Sequence, residues 1–244
     1  MIRLFTVLLA TALLAGCGGQ VAPAAPDYRA AAREAASRAQ GLTSFSESTR
    51  LDFAFIHASH ADDASLVIQA TAAGTNYQLS LERQGMGRIA QEQWIYEGGA
   101  LYRGDGTVWK TVNQSQADRP QPPRSLLSDL KSFEVTGAGQ DLEWGGTLCR
   151  SYTVSSSPDV VWIYAPAWLR ELDTNLDFRC KGELYVGKED GLPDRIFLRL
   201  EGTDHGTGLL KLSVNLDTTY TRFNDPELKV SDPMQQAQQA APGS

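Results

Sequence analysis

Residues 210–217 read LKLSVNLD, and this stretch decides the fold because apolar and polar residues alternate in it without a break. A period of two places the apolar side chains on one face of a β-strand and the polar ones on the other. Residues 77–82, YQLSLE, repeat the pattern, and 66–70 and 196–200 carry apolar residues at the same spacing. One apolar face and one polar face are typical of an antiparallel sheet with one side in solvent.

Short turns separate further predicted strands between residues 88 and 112. Gly98-Gly99 lies between two runs rich in aromatic residues, and Asp105-Gly106 separates the second run from Val108-Trp109. Such glycine-containing connections are typical of tight hairpins. The region from about 88 to 112 is therefore predicted to form a meander.

Three helices are predicted beside the strands. Residues 27–39 are rich in alanine, begin at Asp27 and are followed by Gly41, which favours a helix with a small apolar face. Residues 123–133 and 166–172 start at proline and carry leucine at helical spacing, so each predicts a short helix that interrupts the sheet.

Composition limits the classes of function. The chain has 244 residues with a formal net charge of -7, and 42% of them are hydrophobic. An acidic chain of this kind lacks the basic surface of a nucleic-acid binder, and its many aromatic residues argue against overall disorder. The length suits one large domain, which we predict at 27–230, followed by a disordered tail at 231–244.

The N-terminus has the pattern of an export signal. Arg3 precedes an apolar run of about a dozen residues, which is too short to span a membrane. The run ends in LAGC at 14–17, which resembles the lipobox of bacterial lipoproteins. The resemblance implies removal of 1–16 as a signal peptide, attachment of lipid to Cys17, and a flexible tether at 17–26. The alternative is an ordinary signal peptide whose cleavage site happens to lie near Cys17.

The two remaining cysteines are Cys149 and Cys180. An exported chain matures in an oxidising compartment, where paired thiols tend to oxidise. We therefore predict a disulfide that closes a loop of about 30 residues and contributes about 3 kcal/mol in the chain-entropy model. The alternative is two separate buried thiols.

Motifs for catalysis and metal binding are missing. The chain has three histidines and no nucleophile elbow, zinc-protease or phosphate-loop motif, so we predict no enzyme activity, no catalytic residue, no metal site and no cofactor. His57 and His60 are better interpreted as part of a polar hairpin tip than as metal ligands. Residues 173–177 start like a calcium loop but lack its glycine and glutamate, which favours a solvated turn. Hydrolysis by a pair of acids is the least favoured alternative.

Aromatic residues concentrate in the predicted meander. Trp94, Tyr96, Tyr102 and Trp109 fall within a short span of hairpins. The simplest interpretation is ordinary packing between strands. The functional interpretation is a wide apolar concave face that holds an aliphatic or aromatic ligand.

These features together resemble the LolA/LolB and LppX/LprG group of envelope lipoproteins and carriers. Three stretches add to the resemblance: WIYEGGALY at 94–102, DGLPDR at 190–195 and YTRFNDP at 220–226. The implied fold is mainly β (α+β), with a single strongly curved antiparallel sheet that forms an incomplete barrel. An N-terminal helix and short helices cover the concave side in this arrangement.

The implied activity is non-covalent binding of lipid or another hydrophobic ligand in the concave cavity. The candidate cavity residues are Tyr77, Leu79, Leu81, Leu198, Leu200, Leu212, Val214 and Leu216. An alternative is an interaction or sensor module that uses the same fold to bind an envelope protein. The anchor would lie in the outer leaflet of the plasma membrane of a monoderm or in the outer membrane of a diderm.

Overall fold

The computed structural model describes residues 28–57, 60–85, 88–105, 108–113, 119–164, 176–204 and 210–233. These residues form three α-helices, one short 3₁₀ turn and eleven strands. The helices are α1 (Tyr28–Gln40), α2 (Arg124–Asp129) and α3 (Asp159–Trp162), and the 3₁₀ turn is Leu130–Ser132. The strands are β1 (Ser44–His57), β2 (His60–Ala73), β3 (Asn76–Gly85), β4 (Arg88–Glu97), β5 (Ala100–Gly104), β6 (Trp109–Val112), β7 (Glu134–Trp144), β8 (Thr147–Ser156), β9 (Leu176–Gly187), β10 (Pro193–Asp204) and β11 (Leu210–Thr221).

The eleven strands form a single antiparallel sheet in the order β6-β5-β4-β3-β2-β1-β11-β10-β9-β8-β7. Strands β1 to β6 are one meander and β7 to β11 are another, since consecutive strands are neighbours within each half. The first and last strands join the halves, with Ser46 opposite Thr221 and Phe53 opposite Val214. Strands β6 and β7 are the two edges, so the sheet is not closed into a barrel.

Alternation along each strand gives the sheet an apolar face and a polar face. We call the face that carries Leu51, Leu198 and Val214 the inner face, and the opposite face the outer face. Inner side chains of both meanders belong to one continuous apolar core. A flat sheet of this width would measure about 48 Å across at about 4.8 Å per strand. The core extends from Leu101 of β5 to Val135 of β7, near the two edges of the sheet, as expected for the strongly curved sheet that the family resemblance implies.

Helices cover part of the inner face. Helix α1 contacts α2, the 3₁₀ turn, β7 and β10, and it buries only alanine side chains, those of Ala32, Ala35, Ala36 and Ala39. Four methyl groups let the helix backbone lie close to its neighbours but remove little apolar surface from water. Helix α2 and the 3₁₀ turn add Leu126, Leu127 and Leu130. The predicted architecture of a curved open sheet with a helical cover is confirmed.

The predicted disulfide between Cys149 and Cys180 is wrong, because both are buried free thiols. Cys149 on β8 lies opposite Gly187, whereas Cys180 on β9 lies opposite Ser156. The two thiols are thus seven residues apart along paired strands, about 23 Å at about 3.3 Å per residue. An odd separation also places them on opposite faces of the sheet, while a disulfide needs Cα atoms within about 7 Å. Each thiol has its own partner: Asp194 accepts from Cys149 at 3.1 Å, and the Ser156 hydroxyl donates to Cys180 at 3.2 Å.

Several other predictions concern residues that the structure does not describe. The signal peptide, Cys17 and the tether lie before residue 28, and the predicted helix at 166–172 and turn at 173–177 fall in the gap between 164 and 176. Of the predicted tail, only 231–233 are described, and there the amide of Ser231 donates to Gln78 at 2.9 Å. Among the described residues, no helix has the length and apolar character needed to span a bilayer.

Candidate functional site

The inner face brings together all eight predicted cavity residues. Leu79 and Leu81 lie on β3, Leu198 and Leu200 on β10, and Leu212, Val214 and Leu216 on β11, all buried in the same core. Tyr77 packs at the edge of that core and stacks on Tyr96, with ring centroids 5.2 Å apart. The period-two pattern therefore identified one common face, built from strands at both ends of the chain.

The aromatic residues of the meander do not share this face. Trp94 and Tyr96 point to the inner face, where Trp94 is fully buried. Tyr102 lies opposite Ile95, and Trp109 lies opposite Gly104, which places both on the outer face. Two of the four aromatic residues therefore lie on the inner face, and the other two lie on the outer face. The two-residue turn at Gly98-Gly99 pairs even-numbered residues of β4 with odd-numbered residues of β5, and this sets which aromatic residues face inward.

A buried carboxyl group interrupts the apolar inner face. Glu47 on β1 is 4% exposed and lies directly opposite Tyr220 of β11. The Thr49 hydroxyl donates to Oε1 of Glu47 at 2.8 Å, and a second contact of 2.8 Å joins the hydroxyls of Thr49 and Thr218. Burial raises the pKa of Glu47 to about 8, although the hydrogen bond from Thr49 acts in the opposite direction. The carboxyl group therefore keeps its proton at neutral pH.

Two tyrosines face this carboxyl group from different elements. Burial, with a smaller effect of Glu47, raises the pKa of both Tyr164 and Tyr220 well above the usual value. The hydroxyl groups of both tyrosines and Oε2 of Glu47 are buried and have no hydrogen-bond partner among the described residues. An apolar face with a small neutral polar cluster at its centre is the result.

A charged network closes the inner face at the β3–β5 end. Glu92 accepts from the indole Nε1 of Trp94 at 3.1 Å and pairs with Arg83 and Arg103 at 3.4 and 3.0 Å. Arg103 also lies over the Trp94 ring, 5.3 Å from its centroid. The network fixes the orientation of the largest buried aromatic ring of the core and separates the apolar surface from solvent.

Sequence reasoning missed Glu47, although the signal was present. Phe45, Leu51 and Phe53 alternate with polar residues along β1. Glu47 is an even number of residues away from each of them. A strand with one apolar face places every second residue on that face. The same rule that identified the cavity residues on β11 therefore assigns Glu47 to the inner face.

Side chains that could ligate a metal ion are scattered over the described residues. Across the described part of the chain, no three histidine, cysteine, aspartate or glutamate side chains come together in an arrangement suited to a metal ion. The backbone brings His57 and His60 opposite each other where β1 turns into β2, which fits the predicted hairpin tip.

Comparison with known proteins identifies the fold. No model of a protein family matches the sequence, and no curated protein matches it. Among solved structures, LprF from Mycobacterium bovis superposes with a TM-score of 0.51 at 11% identity, over 86% of this chain and 98% of LprF. A likeness at this identity shows a shared fold.

Two further neighbours superpose less well. The Mycobacterium tuberculosis lipoprotein LppX gives a TM-score of 0.44 at 11% identity, over 83% of this chain and 97% of its own. A LolA superfamily protein from Nitrosomonas europaea gives 0.28 at 11% identity, over 85% and 95%. The chain therefore shares its fold with LprF.

Proposed function

We propose that this chain is a lipid-anchored envelope protein that holds the apolar chain of a lipid against its inner face and catalyses no reaction. The observation that carries the proposal is a continuous apolar face on an open sheet, covered in part by a helix whose fully buried residues are all alanine. The fold shared with LprF and the lipobox-like end at Cys17 support the same assignment.

The energetics favour exchange between the helical cover and a ligand. Moving α1 away exposes four alanine methyl groups, the packed part of Tyr28 and the apolar surface that the helix covers, and each buried methyl or methylene is worth about 0.8 kcal/mol. An acyl chain that takes the place of the helix covers that surface again and gains a similar amount for each methylene that it buries, so about four methylenes offset the alanine methyl groups. In a longer chain, the additional methylenes provide a net gain in free energy that drives loading from water. The bilayer offers the same methylenes a competing apolar environment. Loading and unloading then depend on a small difference between two apolar environments.

Native mass spectrometry tests the ligand. Residues 18–244, exported behind a cleavable signal peptide and purified without detergent, are expected to carry a lipid-sized mass that organic extraction removes. Ala70→Phe fills the inner face, whereas Val67→Phe places the same phenyl side chain on the outer face three residues earlier. We expect the first substitution to reduce the bound mass and the second to leave it unchanged. A lipid-free wild type, or equal occupancy in both variants, would contradict lipid binding on the inner face.

Cell fractionation tests the anchor separately. The wild-type chain is expected in the membrane fraction, and residues 18–244, exported behind a cleavable signal peptide, in the soluble exported fraction. Metabolic labelling with palmitate should mark the wild type and not Cys17→Ser. If Cys17→Ser takes up palmitate as the wild type does, the anchor at Cys17 is wrong, whatever the result for the ligand.

The second candidate function is an interaction module in the envelope. The dense packing of the described core favours it, since Leu198, Leu200 and Val214 are fully buried without a ligand. This function predicts a lipid-free protein that crosslinks in intact cells to one envelope protein. Loss of that crosslink in an outer-face variant, with no lipid in any sample, distinguishes the module from the carrier.

A further inference from the structure

A groove of about 360 Å³ lies on the outer face, away from the apolar core. Its floor is a row of side chains that lie opposite one another on successive strands: Thr219, Ser48, Gln69, Ser80 and Gln93. The same row continues through Gly104 of β5 to Trp109 of β6. We call the surface formed by the five floor residues and Trp109 the outer groove.

The floor of the outer groove contains no ionisable side chain. Of the acidic residues of β1, only Glu47 borders the groove, and its side chain points to the inner face. Two residues further along each strand, a second row of side chains on the same outer face includes Glu82, Arg50 and Asp217. The neutral strip is therefore a local feature of a surface that is otherwise charged. Because an ionised ligand would lose hydration here without meeting an opposite charge, the groove favours an uncharged ligand.

Trp109 brings an indole N–H group to the outer groove. Its indole Nε1 is buried and has no acceptor among the described residues. The ring lies against Gly104, where a Cβ atom would come within 2.9 Å of two ring carbons, so the missing side chain allows this position. A buried donor without an acceptor costs about 1–3 kcal/mol, and a ligand oxygen would remove this cost.

The floor residues also keep hydrogen-bonding capacity. Gln69 donates one amide hydrogen to Ser48 at 2.8 Å, which leaves its carbonyl oxygen and second hydrogen for other partners. The side chains of Ser80 and Gln93 make no hydrogen bond to another residue in the described part of the chain. Hydroxyl and amide groups both donate and accept, so the floor matches a ligand that alternates donors and acceptors.

From these observations we infer that the outer groove binds a short uncharged saccharide. Sugar hydroxyls donate and accept hydrogen bonds as the floor requires, one of them can accept from the indole, and the apolar C–H face of a sugar ring can pack on the indole ring. The groove volume lies at the lower end of the range of about 300–1,000 Å³ for small-molecule sites. The site is independent of the proposed lipid function, because it uses the opposite face of the sheet.

Nuclear magnetic resonance of the indole N–H groups tests this assignment. The full chain is labelled with ¹⁵N and held in a detergent without a sugar headgroup, and the Trp109 signal is assigned by its loss in Trp109→Phe. Neutral oligosaccharides of glucose, mannose and N-acetylglucosamine are titrated to millimolar concentration, beside an oligosaccharide of galacturonic acid. We expect at least one neutral sugar to shift the Trp109 signal to saturation and the acidic sugar to leave it in place.

Variants distinguish the groove from other aromatic surfaces. Trp109→Phe and Gln93→Ala, followed by ligand-observed titration, should each weaken binding about fivefold, as expected for the loss of one hydrogen bond. Trp144→Phe is the matched control, because Trp144 packs against Tyr185 and Arg195 elsewhere on the sheet, and it should bind like the wild type. The inference is overturned if no neutral sugar shifts the signal, or if Trp144→Phe weakens binding as much as Trp109→Phe.

Two sources of the saccharide give different results in the same assay. A soluble glycan is expected to shift the Trp109 signal by itself. A glycolipid headgroup is expected to bind when presented on phosphatidylcholine vesicles, with the variants lowering the fraction of protein that sediments with them. This assay uses residues 18–244, because a lipid anchor at Cys17 would bind any vesicle. Vesicles without glycolipid are the control, and equal sedimentation with both kinds of vesicle contradicts recognition of a sugar.

Discussion

Replacement of Glu47 by glutamine should change the pH dependence of stability more than any other single substitution on the inner face. Burial raises the pKa of Glu47 to about 8 in the folded chain, from 4.5 for an exposed glutamate. Between these values the unfolded chain releases a proton that the folded chain retains, so stability falls as the pH rises. Below about pH 4.5 both states are protonated, and above about pH 8 both are ionised.

The magnitude follows from the same two values. Each pH unit between these two pKa values lowers the free energy of unfolding by about 1.4 kcal/mol, so the whole interval lowers it by about 5 kcal/mol. This is a large part of the stability of an ordinary domain. Glu47→Gln keeps the oxygen that accepts from Thr49 and cannot ionise. We expect the variant to match the wild type within about 1 kcal/mol near pH 5 and to exceed its stability by several kcal/mol near pH 9.

Urea unfolding followed by tryptophan fluorescence at a series of pH values measures this effect. Glu143→Gln is the control, because Glu143 is exposed on β7 and its substitution should leave the pH profile unchanged. A parallel pH profile for wild type and Glu47→Gln would refute the argument. It would mean that the carboxyl group reaches solvent or a cation in the folded protein.

Three further predictions concern packing. The two buried thiols should react with a maleimide only after denaturation, since burial and Asp194 raise the pKa of Cys149 to about 12. A reductant should leave the melting temperature unchanged, because both thiols are free. Gly182→Ala should lower the free energy of unfolding in urea by at least about 2 kcal/mol, because the added Cβ would collide with the Phe197 carbonyl. The control is Gly137→Ala, whose Cβ meets no atom and which should change that free energy by less than about 0.5 kcal/mol. Ala36→Leu should cost about 1–3 kcal/mol by overpacking the buried side of α1, and the exposed Ala30→Leu should not. Equal effects within either pair would show that the close contacts are absent.

The sequence identified faces better than it identified partners. Alternation of apolar and polar residues assigned Leu79, Leu198 and Val214 to one surface, because burial of one face leaves a local trace in every strand. The offset between Cys149 and Cys180 leaves no such trace. It depends on how β8 and β9 pair across a long connection that contains α3. A count of cysteines therefore predicted a bond that the register excludes.

The outer groove was beyond sequence reasoning for a related reason. Its floor joins Thr219 to Ser48, and these residues become neighbours only when the last strand pairs with the first. Polar residues on a solvent-facing side carry no periodic signal that distinguishes a binding surface from ordinary hydration. Trp109 was visible as an aromatic residue, but its face depended on two turns whose register the sequence leaves open.

The pairing of β1 with β11 also sets the order in which the protein can fold. During synthesis, the first meander emerges with β1 as a long open edge, and its proper neighbour is among the last parts of the chain to be made. Until β11 arrives, the unpaired N–H and C=O groups of β1 form a template for strands of other molecules. Contacts between such distant parts of a chain form slowly, which prolongs this exposure. The period between synthesis of the two strands is therefore when a chaperone would protect this chain most effectively from aggregation.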